Sequence, residues 1–531
     1  MKGLLLGVAV LSALPALMVL TGCGNDGSRT APGVAGGRGA VPGVLRQALP
    51  VEPNTLDPAL IQDTFTAEMV QNLYEGLVGW DEKNQIVPKV AAALPALSAD
   101  GRTYTFTLRE NVTFPGGKAV TSEDVKYSLT RALDPKLASP TAMSYLDDIL
   151  GAKEVADGET PDLAGVTVVD PKTVRITLLA PRAYFLGKLT YPTGFIVSKE
   201  AVAKGPNTPA GARTIDGTNA GEAGTGPFRL ASYTRASKLI LDANPNYWAG
   251  KPKLSRIERP IVLDAKTVRN KYDTGQLDLM ILEKSDYDAA KSDPAQAGQI
   301  HLYDRAATWY LAVNCVQYPP FKDKRVRQAV AHAINKDSIV KEVTRGVFLK
   351  AEGILPPGIA GYDKRFKGLT YDPEKAKALL AAAGYPGGRG LPPLRLTLVE
   401  KQPDFVKPAE VMREQLIAVG FPVQLKEAEH ATALRAYHNR EFDLFYTAWY
   451  ADYVDPQDFL SLLLRSDATE NATGYNNPAF DVLVRRGDAE SDPEKRASLY
   501  AKANAIAVND APWVPVAYGR DVEQMRPGVT G

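Results

Sequence analysis

Strand-like and helix-like hydrophobic patterns alternate along this chain, and no fixed interval repeats them. Residues 102–109 (RTYTFTLR) alternate apolar and polar side chains, which is typical of a half-buried strand. A matching strand is predicted at residues 173–179. Between them, residues 121–124 (TSED) have the spacing of a capping box, and apolar side chains then recur every four residues up to residue 133. This order predicts a helix packed on a small sheet, within an α/β or α+β protein.

The carboxyl-terminal half carries clearer signals of the same two kinds. Proline follows aspartate at residues 372–373 and 492–493, as at the beginning of a helix, and residues 324–334 place apolar side chains at helical spacing. Strands are predicted at residues 394–399 and 442–449, on either side of a helix at residues 409–419. This arrangement predicts a βαβ crossover in a mixed or parallel sheet, and therefore a second α/β lobe.

The length of the chain requires more than one core. Of its 531 residues, the first 22 have the features of a removable leader, and the rest exceed what a single ordinary core accommodates. A formal net charge of +1 argues against an electrostatic nucleic-acid binder. Two cysteines exclude a disulfide framework, and four histidines argue against a multi-histidine metal centre. We therefore expect at least two lobes, with no nucleic acid, metal or cofactor.

The amino-terminal residues predict export. A lysine precedes an uncharged apolar run at residues 4–20, which is the pattern of a signal peptide and is marginal for a permanent membrane span. The following LTGC (residues 20–23) resembles the bacterial lipobox, whose cysteine is acylated before cleavage. We expect a signal peptide at residues 1–22, a lipid anchor on Cys23 and a flexible glycine-rich tether at residues 23–43. The alternative is a plain signal peptide with an incidental cysteine.

Six segments of the chain resemble a known family when they are taken together. In chain order they are EPNTLDP (52–58), QNLYEGL (71–77), DGRTYTFTLRENVTFPGGKAVTSEDVKYSLTR (100–131), GTGPF (224–228), NPNYW (244–248) and PFKDKRVRQA (320–329). Each is weak alone, but their order and separations resemble the peptide-type family 5 of bacterial extracellular solute-binding proteins, which supply ABC importers. The resemblance covers nearly the whole chain after the leader.

The resemblance implies an α/β fold of the two-lobe periplasmic-binding-protein type (class II), with an extra domain inserted in the first lobe. Carried onto this sequence, it divides the chain into lobe one (44–78, 181–303 and 514–531), an inserted domain (79–180) and lobe two (304–513). Family members usually continue beyond the segment that resembles residues 511–531. Whether lobe one has all of its terminal elements is therefore left open.

The ligand site that the resemblance implies centres on residues 446–456 (YTAWYADYVDP). Peptide receptors of the family hold the ligand's amino terminus with an aspartate in a Trp-x-x-Asp-Tyr segment, and Asp452 is the matching residue. A carboxylate can clamp an ammonium group through charge-assisted hydrogen bonds, while a strand edge pairs with any peptide backbone. The cleft is expected to include the neighbours Trp449, Tyr450, Ala451 and Tyr453. The alternatives are a cap or turn carboxylate at 452 and core aromatics at 449 and 450.

Lobe one is expected to complete the site. Gln62, Asp63 and Thr64 resemble the contact loop of the family, although a polar loop exposed at the lobe edge is the alternative. Tyr518, near the predicted interlobe crossing, is a further candidate for the cleft.

The resemblance implies a binding protein rather than an enzyme. We expect a monomer on the outer face of the cytoplasmic membrane, which captures peptides by lobe closure and delivers them to the permease and ATPase subunits of an ABC importer. One alternative keeps the fold with another ligand, such as a nickel chelate, an oligosaccharide or another small molecule. The other is an exported hydrolase, for which the sequence offers no HExxH, G-x-S-x-G or P-loop motif.

Overall fold

The computed structural model describes residues 42–400 and 402–530. The predicted signal peptide, the predicted lipid anchor on Cys23 and all but the last two residues of the predicted tether lie outside the described residues. Within the described part, no helix is both long and apolar enough to span a membrane.

The strands are short except for two. They are β1 (Val44–Arg46), β2 (Val78–Trp80), β3 (Ile86–Pro88), β4 (Ala96–Leu97), β5 (Thr103–Thr107), β6 (Val166–Asp170), β7 (Thr173–Thr177), β8 (Phe228–Thr234), β9 (Lys238–Ala243), β10 (Arg256–Pro260), β11 (Leu279–Ile281), β12 (Ile300–Val313), β13 (Leu349–Lys350), β14 (Leu394–Val399), β15 (Val423–Ala428), β16 (Leu444–Tyr450) and β17 (Trp513–Met525).

The helices lie between and outside these strands. They are α1 (Thr64–Val70), α2 (Ser122–Leu133), α3 (Ala142–Leu146), α4 (Ala152–Ala156), α5 (Phe185–Lys188), α6 (Lys199–Lys204), α7 (Ala220–Ala223), α8 (Ala265–Asp273), α9 (Lys284–Ser292), α10 (Lys324–Ala333), α11 (Lys336–Ser338), α12 (Pro373–Ala382), α13 (Pro403–Val419), α14 (His430–His438), α15 (Ser461–Leu464), α16 (Pro478–Ala489) and α17 (Pro493–Asp510).

The fold is a two-lobe α/β fold built on three main sheets. One four-stranded sheet has the order β1-β10-β9-β8, and another, β4-β5-β7-β6, is formed entirely by residues 96–177. The third sheet has the order β11-β17-β12-β16-β14-β15, with β13 also paired to β17. We call this third sheet the crossing sheet. The division of the chain at residues 79, 181, 304 and 514 stays a prediction.

Two long antiparallel strands form the centre of the crossing sheet. β12 and β17 pair from Ile300 and Gln524 at one end to Ala312 and Trp513 at the other, with a register shift near Asp304. At the first end β17 pairs with β11, which follows the β1-β10-β9-β8 region in the chain. At the other end β12 pairs with β16, deep in the carboxyl-terminal half. Both strands therefore connect the two halves of the molecule.

A buried ion pair joins two of the family-like segments. Asp57, which is inaccessible to solvent, accepts hydrogen bonds from both Nη atoms of Arg131 on α2. The same carboxylate also accepts from the backbone N–H of Ile215 (3.0 Å) and Ala59 (3.1 Å). The guanidinium fork and the carboxylate meet in the bidentate geometry that makes such pairs strong. Asp57 therefore fastens three distant chain segments at one point.

A second buried carboxylate anchors the NPNYW segment. Glu75 accepts hydrogen bonds from the Tyr247 hydroxyl (2.7 Å) and from Nε1 of Trp248 (2.8 Å). Burial raises the pKa of Glu75, while these two donors act in the opposite direction. The family-like segments 71–77 and 244–248 are therefore in direct contact, although they are far apart in the sequence.

Most predicted elements are confirmed, and the predicted crossover contains one strand more than expected. The capping box at Thr121 and Asp124 is present at the beginning of α2, and β5 pairs with β7 as expected. The helices predicted from residues 324, 373 and 493 are α10, α12 and α17. The predicted helix at 409–419 is the later part of α13, but this helix leads to β15, a strand that we did not predict. The βαβ unit is therefore β14-α13-β15, with β16 added in parallel on the other side of β14.

We expect Asp57→Asn to lower the free energy of unfolding by about 3 to 5 kcal/mol, because it leaves the Arg131 guanidinium buried without an anion. Chemical denaturation followed by tryptophan fluorescence measures this loss. The control is Asp157→Asn, since Asp157 forms an exposed helical pair with Lys153 and its removal should leave the midpoint unchanged. Equal effects of the two variants would contradict a structural role for the Asp57 pair.

Candidate functional site

Asp452 lies two residues after the end of β16, in contact with α3. One oxygen of its carboxylate accepts a hydrogen bond of 2.5 Å from the hydroxyl of Tyr145 on α3. Tyr145 stacks on Tyr191, with ring centroids 3.8 Å apart and an interplanar angle of 5°. The Tyr191 hydroxyl in turn donates to the carbonyl of Ile61 (3.4 Å). Asp452 is therefore connected through two tyrosines to the loop that precedes α1.

A second carboxylate, that of Asp458, stands next to Asp452. Asp458 is inaccessible to solvent, and its Oδ2 accepts from Nε1 of Trp449 (2.9 Å) and from the backbone N–H of Asp452 (3.2 Å). Its other oxygen, Oδ1, is buried and has no hydrogen-bond partner among the described residues. We call Asp452 and Asp458 the acid pair.

The acid pair has no cationic partner within ion-pair distance among residues 42–400 and 402–530. Desolvation is the main reason that the pKa of Asp452 is raised to about 6, and the charge of Glu470 adds to this effect. The pKa of Asp458 is raised well above its ordinary value by burial and by the charge of Asp452. Two neighbouring carboxylates in a desolvated site repel each other, so the site favours either a proton on one of them or a cation beside them.

The last residues of β16 have one open backbone edge. Ala451 donates its N–H to the carbonyl of Ala306 on the β12 side, at 2.8 Å. Because hydrogen-bonding direction alternates along a strand, Ala448 and Tyr450 direct their N–H and C=O groups to the opposite side. On that side β14 pairs only with Leu444 and Phe445. The backbone groups of Ala448 and Tyr450, which we call the open edge, can therefore pair with an extended ligand.

The aromatic residues around Asp452 occupy different environments. Trp449 is half-buried and its indole N–H is used by Asp458. Tyr450 is 39% exposed, and desolvation together with the charges of Asp521 and Asp404 raises its pKa. Tyr453 is only 2% exposed and packs into the hydrophobic cluster that contains Tyr145 and Phe185. Its contact with a ligand, like that of Ala451, stays a prediction.

The loop before α1 is placed near this site by the contact of Tyr191 with Ile61. Gln62 is exposed, whereas the Asp63 carboxylate caps α1 by accepting from the N–H of Thr66 at 2.8 Å. The side chain of Thr64 lies outside the part that the structure describes. The ligand contacts expected for these three residues stay predictions.

Tyr518 lies on β17, opposite Thr308 of β12. Its side chain is 3% exposed, and its hydroxyl exchanges hydrogen bonds of 3.1 Å with the backbone N–H and C=O of Gly353. The structure therefore gives Tyr518 an anchoring contact with the 353 loop, and its role in the cleft stays a prediction.

Three residues of the site were missed by the sequence analysis: Tyr145, Tyr191 and Asp458. Tyr145 is separated from Asp452 by 307 positions in the chain, so no local pattern connects them. Asp458 carried a weak signal, because it closes the short turn that begins at Asp455 and Pro456. Asp455 itself pairs with both Nη atoms of Arg496 at 2.7 Å, so its charge is already compensated.

A search for metal-binding groups gives no candidate in the described part of the chain. No cluster of three or more histidine, cysteine, aspartate or glutamate side chains there could hold a metal ion. His438 instead lies 3.5 Å from a carboxylate oxygen of Glu470.

Comparison with known proteins gives consistent results over almost the whole chain. Residues 85–471 match the model of the bacterial extracellular solute-binding proteins, family 5 Middle. Di/tripeptide-binding protein 2 of Pseudomonas aeruginosa is 30% identical over 522 residues, which cover 93% of this chain and 92% of the relative. Heme-binding protein A of Haemophilus influenzae is 31% identical over 496 residues, which cover 90% of this chain and 88% of the relative.

The fold is also shared with solved structures. The murein tripeptide binding protein MppA of Escherichia coli aligns with a TM-score of 0.78 at 29% identity, covering 93% of this chain and 96% of that chain. Relatives of nearly equal identity thus carry names with different ligands. Overall similarity fixes the family and the fold, whereas the ligand has to be argued from the site.

The raised pKa of Asp452 makes stability depend on pH. A carboxyl whose pKa is higher in the folded protein favours folding while it is protonated, so its contribution is present below about pH 4 and is lost as the pH rises through about 6. We expect the ligand-free protein to lose about 1 to 3 kcal/mol of stability from this group between pH 4 and pH 7.

Chemical denaturation at several pH values tests this expectation, with Asp452→Asn beside the unchanged protein. The variant should lack this part of the pH dependence, since an amide does not titrate. An identical pH profile in the two proteins would show that Asp452 is not the titrating group.

Proposed function

We propose that this chain, which belongs to family 5 of the bacterial extracellular solute-binding proteins, captures peptides outside the cytoplasm and delivers them to an ABC importer. The family consists of solute-binding proteins, so the chain is not an enzyme. The observation that carries the peptide assignment is the acid pair. Asp452 and Asp458 are desolvated carboxylates for which the described chain supplies no cation.

The ammonium group at the amino terminus of a peptide would supply the positive charge that the acid pair lacks. An ammonium group donates three hydrogen bonds and carries the charge that two adjacent carboxylates lack. A neutral sugar would leave the acid pair uncompensated. An amine-bearing ligand is therefore favoured over a neutral one.

The open edge supplies the second part of recognition. A peptide that begins at Asp452 can run along β16 and exchange backbone hydrogen bonds with Ala448 and Tyr450. Such bonds do not depend on side chains, so they provide affinity without sequence preference. The exposed ring of Tyr450 lies beside this path and can cover the ligand.

Lobe closure would couple binding to delivery. Asp452 already contacts Tyr145 across the seam between lobe two and the α3 segment, and the Tyr145–Tyr191 stack extends to the loop before α1. A ligand that touches both sides stabilises the closed form, and the permease would recognise that form. We also propose that the protein is an extracytoplasmic monomer and that a lipid on Cys23 holds it at the membrane.

We expect Asp452→Asn to weaken the binding of peptides with a free amino terminus by at least thirtyfold, because removal of one partner of a buried charge pair costs about 2 to 5 kcal/mol. Isothermal titration calorimetry with alanine peptides of two to five residues measures the change. The same peptides with an acetylated amino terminus should bind weakly to both proteins.

The matched control is Asp455→Asn, which removes a nearby carboxylate that is already paired with Arg496. This variant should keep the preference for a free amino terminus. If acetylated and free peptides bind the unchanged protein equally, Asp452 does not clamp an ammonium group. If neither binds, and native mass spectrometry of the purified protein finds another small molecule, the peptide assignment is wrong.

A further inference from the structure

Asp458 is a buried carboxylate with one oxygen that has no hydrogen-bond partner in the described chain. The residue is inaccessible to solvent. Its Oδ2 accepts from Nε1 of Trp449 (2.9 Å) and from the backbone N–H of Asp452 (3.2 Å). Its Oδ1 is also buried, but it accepts no hydrogen bond from residues 42–400 and 402–530. A buried, ionised oxygen without a donor is costly, so Oδ1 requires a group that the described chain does not provide.

The other buried carboxylates of the described chain differ from Asp458. Both oxygens of each accept a hydrogen bond from another residue or form an ion pair with it, as in Asp57, Asp148, Asp278 and Asp488. All of them except Glu75 pair with an arginine or a lysine, and Glu75 accepts from a tyrosine and a tryptophan. The stability of the fold therefore does not explain Asp458.

A proton on Asp458 would remove this deficit in the ligand-free protein. Two adjacent carboxylates in a desolvated site do not readily ionise together. Burial, followed by the charge of Asp452, raises the pKa of Asp458 well above its ordinary value. Asp452 is half-buried, whereas Asp458 is fully buried, so the proton is expected on Asp458.

Three tyrosines surround the acid pair, and none of them supplies a charge. The hydroxyl of Tyr145 donates to Asp452 at 2.5 Å, and the ring of Tyr191 stacks on that of Tyr145. Tyr453 meets Tyr145 edge-on, with ring centroids 6.4 Å apart. Burial is the main cause that raises the pKa of all three hydroxyls. They are therefore neutral at neutral pH.

The other charged groups near the acid pair have partners of their own. Asp455 accepts from both Nη atoms of Arg496 at 2.7 Å. Glu470 adds to the raised pKa of Asp452, which is mainly due to desolvation, and its carboxylate lies 3.5 Å from Nδ1 of His438. The contact with Glu470 raises the pKa of His438, so this histidine is the competing source of a proton near neutral pH.

We propose that Asp458 carries a proton in the ligand-free protein and releases it when the ligand's ammonium group binds. The O–H bond of the carboxyl group breaks, the proton passes to the solvent, and the ammonium group then donates to Oδ1 of Asp458 as well as to Asp452. The ligand thus provides the donor that Oδ1 lacks, and a charge-assisted hydrogen bond favours the ionised carboxylate. This inference rests on the proposed function, and it makes the affinity for peptides rise with pH.

Proton release at pH 7 tests the inference. Alanine peptides of two to five residues are titrated calorimetrically in phosphate and in Tris, whose ionisation enthalpies differ. Asp452, with a pKa of about 6, is mostly ionised at this pH, and the peptide's amino group, with a pKa of about 8, is mostly protonated. We expect release of about one proton per peptide from the unchanged protein and almost none from Asp458→Asn.

The pH dependence of the affinity gives the same comparison. Between pH 7 and pH 6 the affinity of the unchanged protein should fall at least about tenfold, because a bound proton has to be displaced. In Asp458→Asn the fall should be only about twofold, which is the contribution of Asp452 alone.

Two control variants identify the source of the proton. Asp455→Asn changes a carboxylate in the same turn that is already paired with Arg496, and His438→Gln removes the competing titrating group. Both variants should release as much proton as the unchanged protein does.

Infrared difference spectroscopy supplies a measurement that needs no variant. At pH 7, peptide added to the unchanged protein should remove the C=O stretching band of a protonated carboxyl group, which is recognised by its shift in D2O. This measurement decides the question if Asp458→Asn does not fold or does not bind peptide.

The inference is overturned if the unchanged protein binds peptide without releasing a proton or losing this band. It is also overturned if Asp458→Asn releases as much proton as the unchanged protein, or if His438→Gln abolishes the release. In each of these cases, peptide binding that requires Asp452 leaves the proposed function standing. Failure of every peptide to bind the unchanged protein defeats the proposed function, and this inference with it.

Discussion

The pairing of β12 with β17 determines where every other part of the site can lie. These strands are hydrogen-bonded in register from Ile300 to Ala312 apart from two irregularities, so they form a stiff ribbon between the halves of the molecule. β16 is attached to one side of this ribbon, and Asp452 follows it directly. Arg305 lies on the ribbon itself, close to its register shift. A ligand at the open edge is therefore always at the place where the halves meet.

Buried charged groups without partners are the second constraint on the binding site. Elsewhere in the described chain, buried carboxylates such as Asp57 and Glu75 are satisfied by arginine, tyrosine or tryptophan donors. The acid pair differs from this pattern. A fold selected only for stability would replace or pair such groups. A cationic group of a ligand would compensate the acid pair, which ties the cost in stability to the binding of a ligand.

Local signals in the sequence predicted the helices and strands, but they did not predict the contacts between them. The capping box of α2 and the bounds of β14 follow from residue types and spacing alone. β15 was missed because its apolar alternation is limited to Val423 and Leu425 and ends at the charged residues Lys426 and Glu427. The Tyr145–Asp452 contact joins residues that are 307 positions apart, and no short pattern encodes it.

Family membership leaves the ligand open because the shared fold constrains only part of the cleft. Backbone pairing at Ala448 and Tyr450 and charge pairing at the ends of a ligand do not depend on what fills the space between. A cavity of about 300 Å³ lies beside the Lys284–Asp404 ion pair, and Asp404 is near enough to raise the pKa of Tyr450. Substitutions of the residues that line such cavities change which ligand fits without changing the sheets. Relatives named for binding di- and tripeptides and for binding heme can therefore be equally similar to this chain. The charged groups that remain uncompensated are therefore better evidence of the guest than overall identity is.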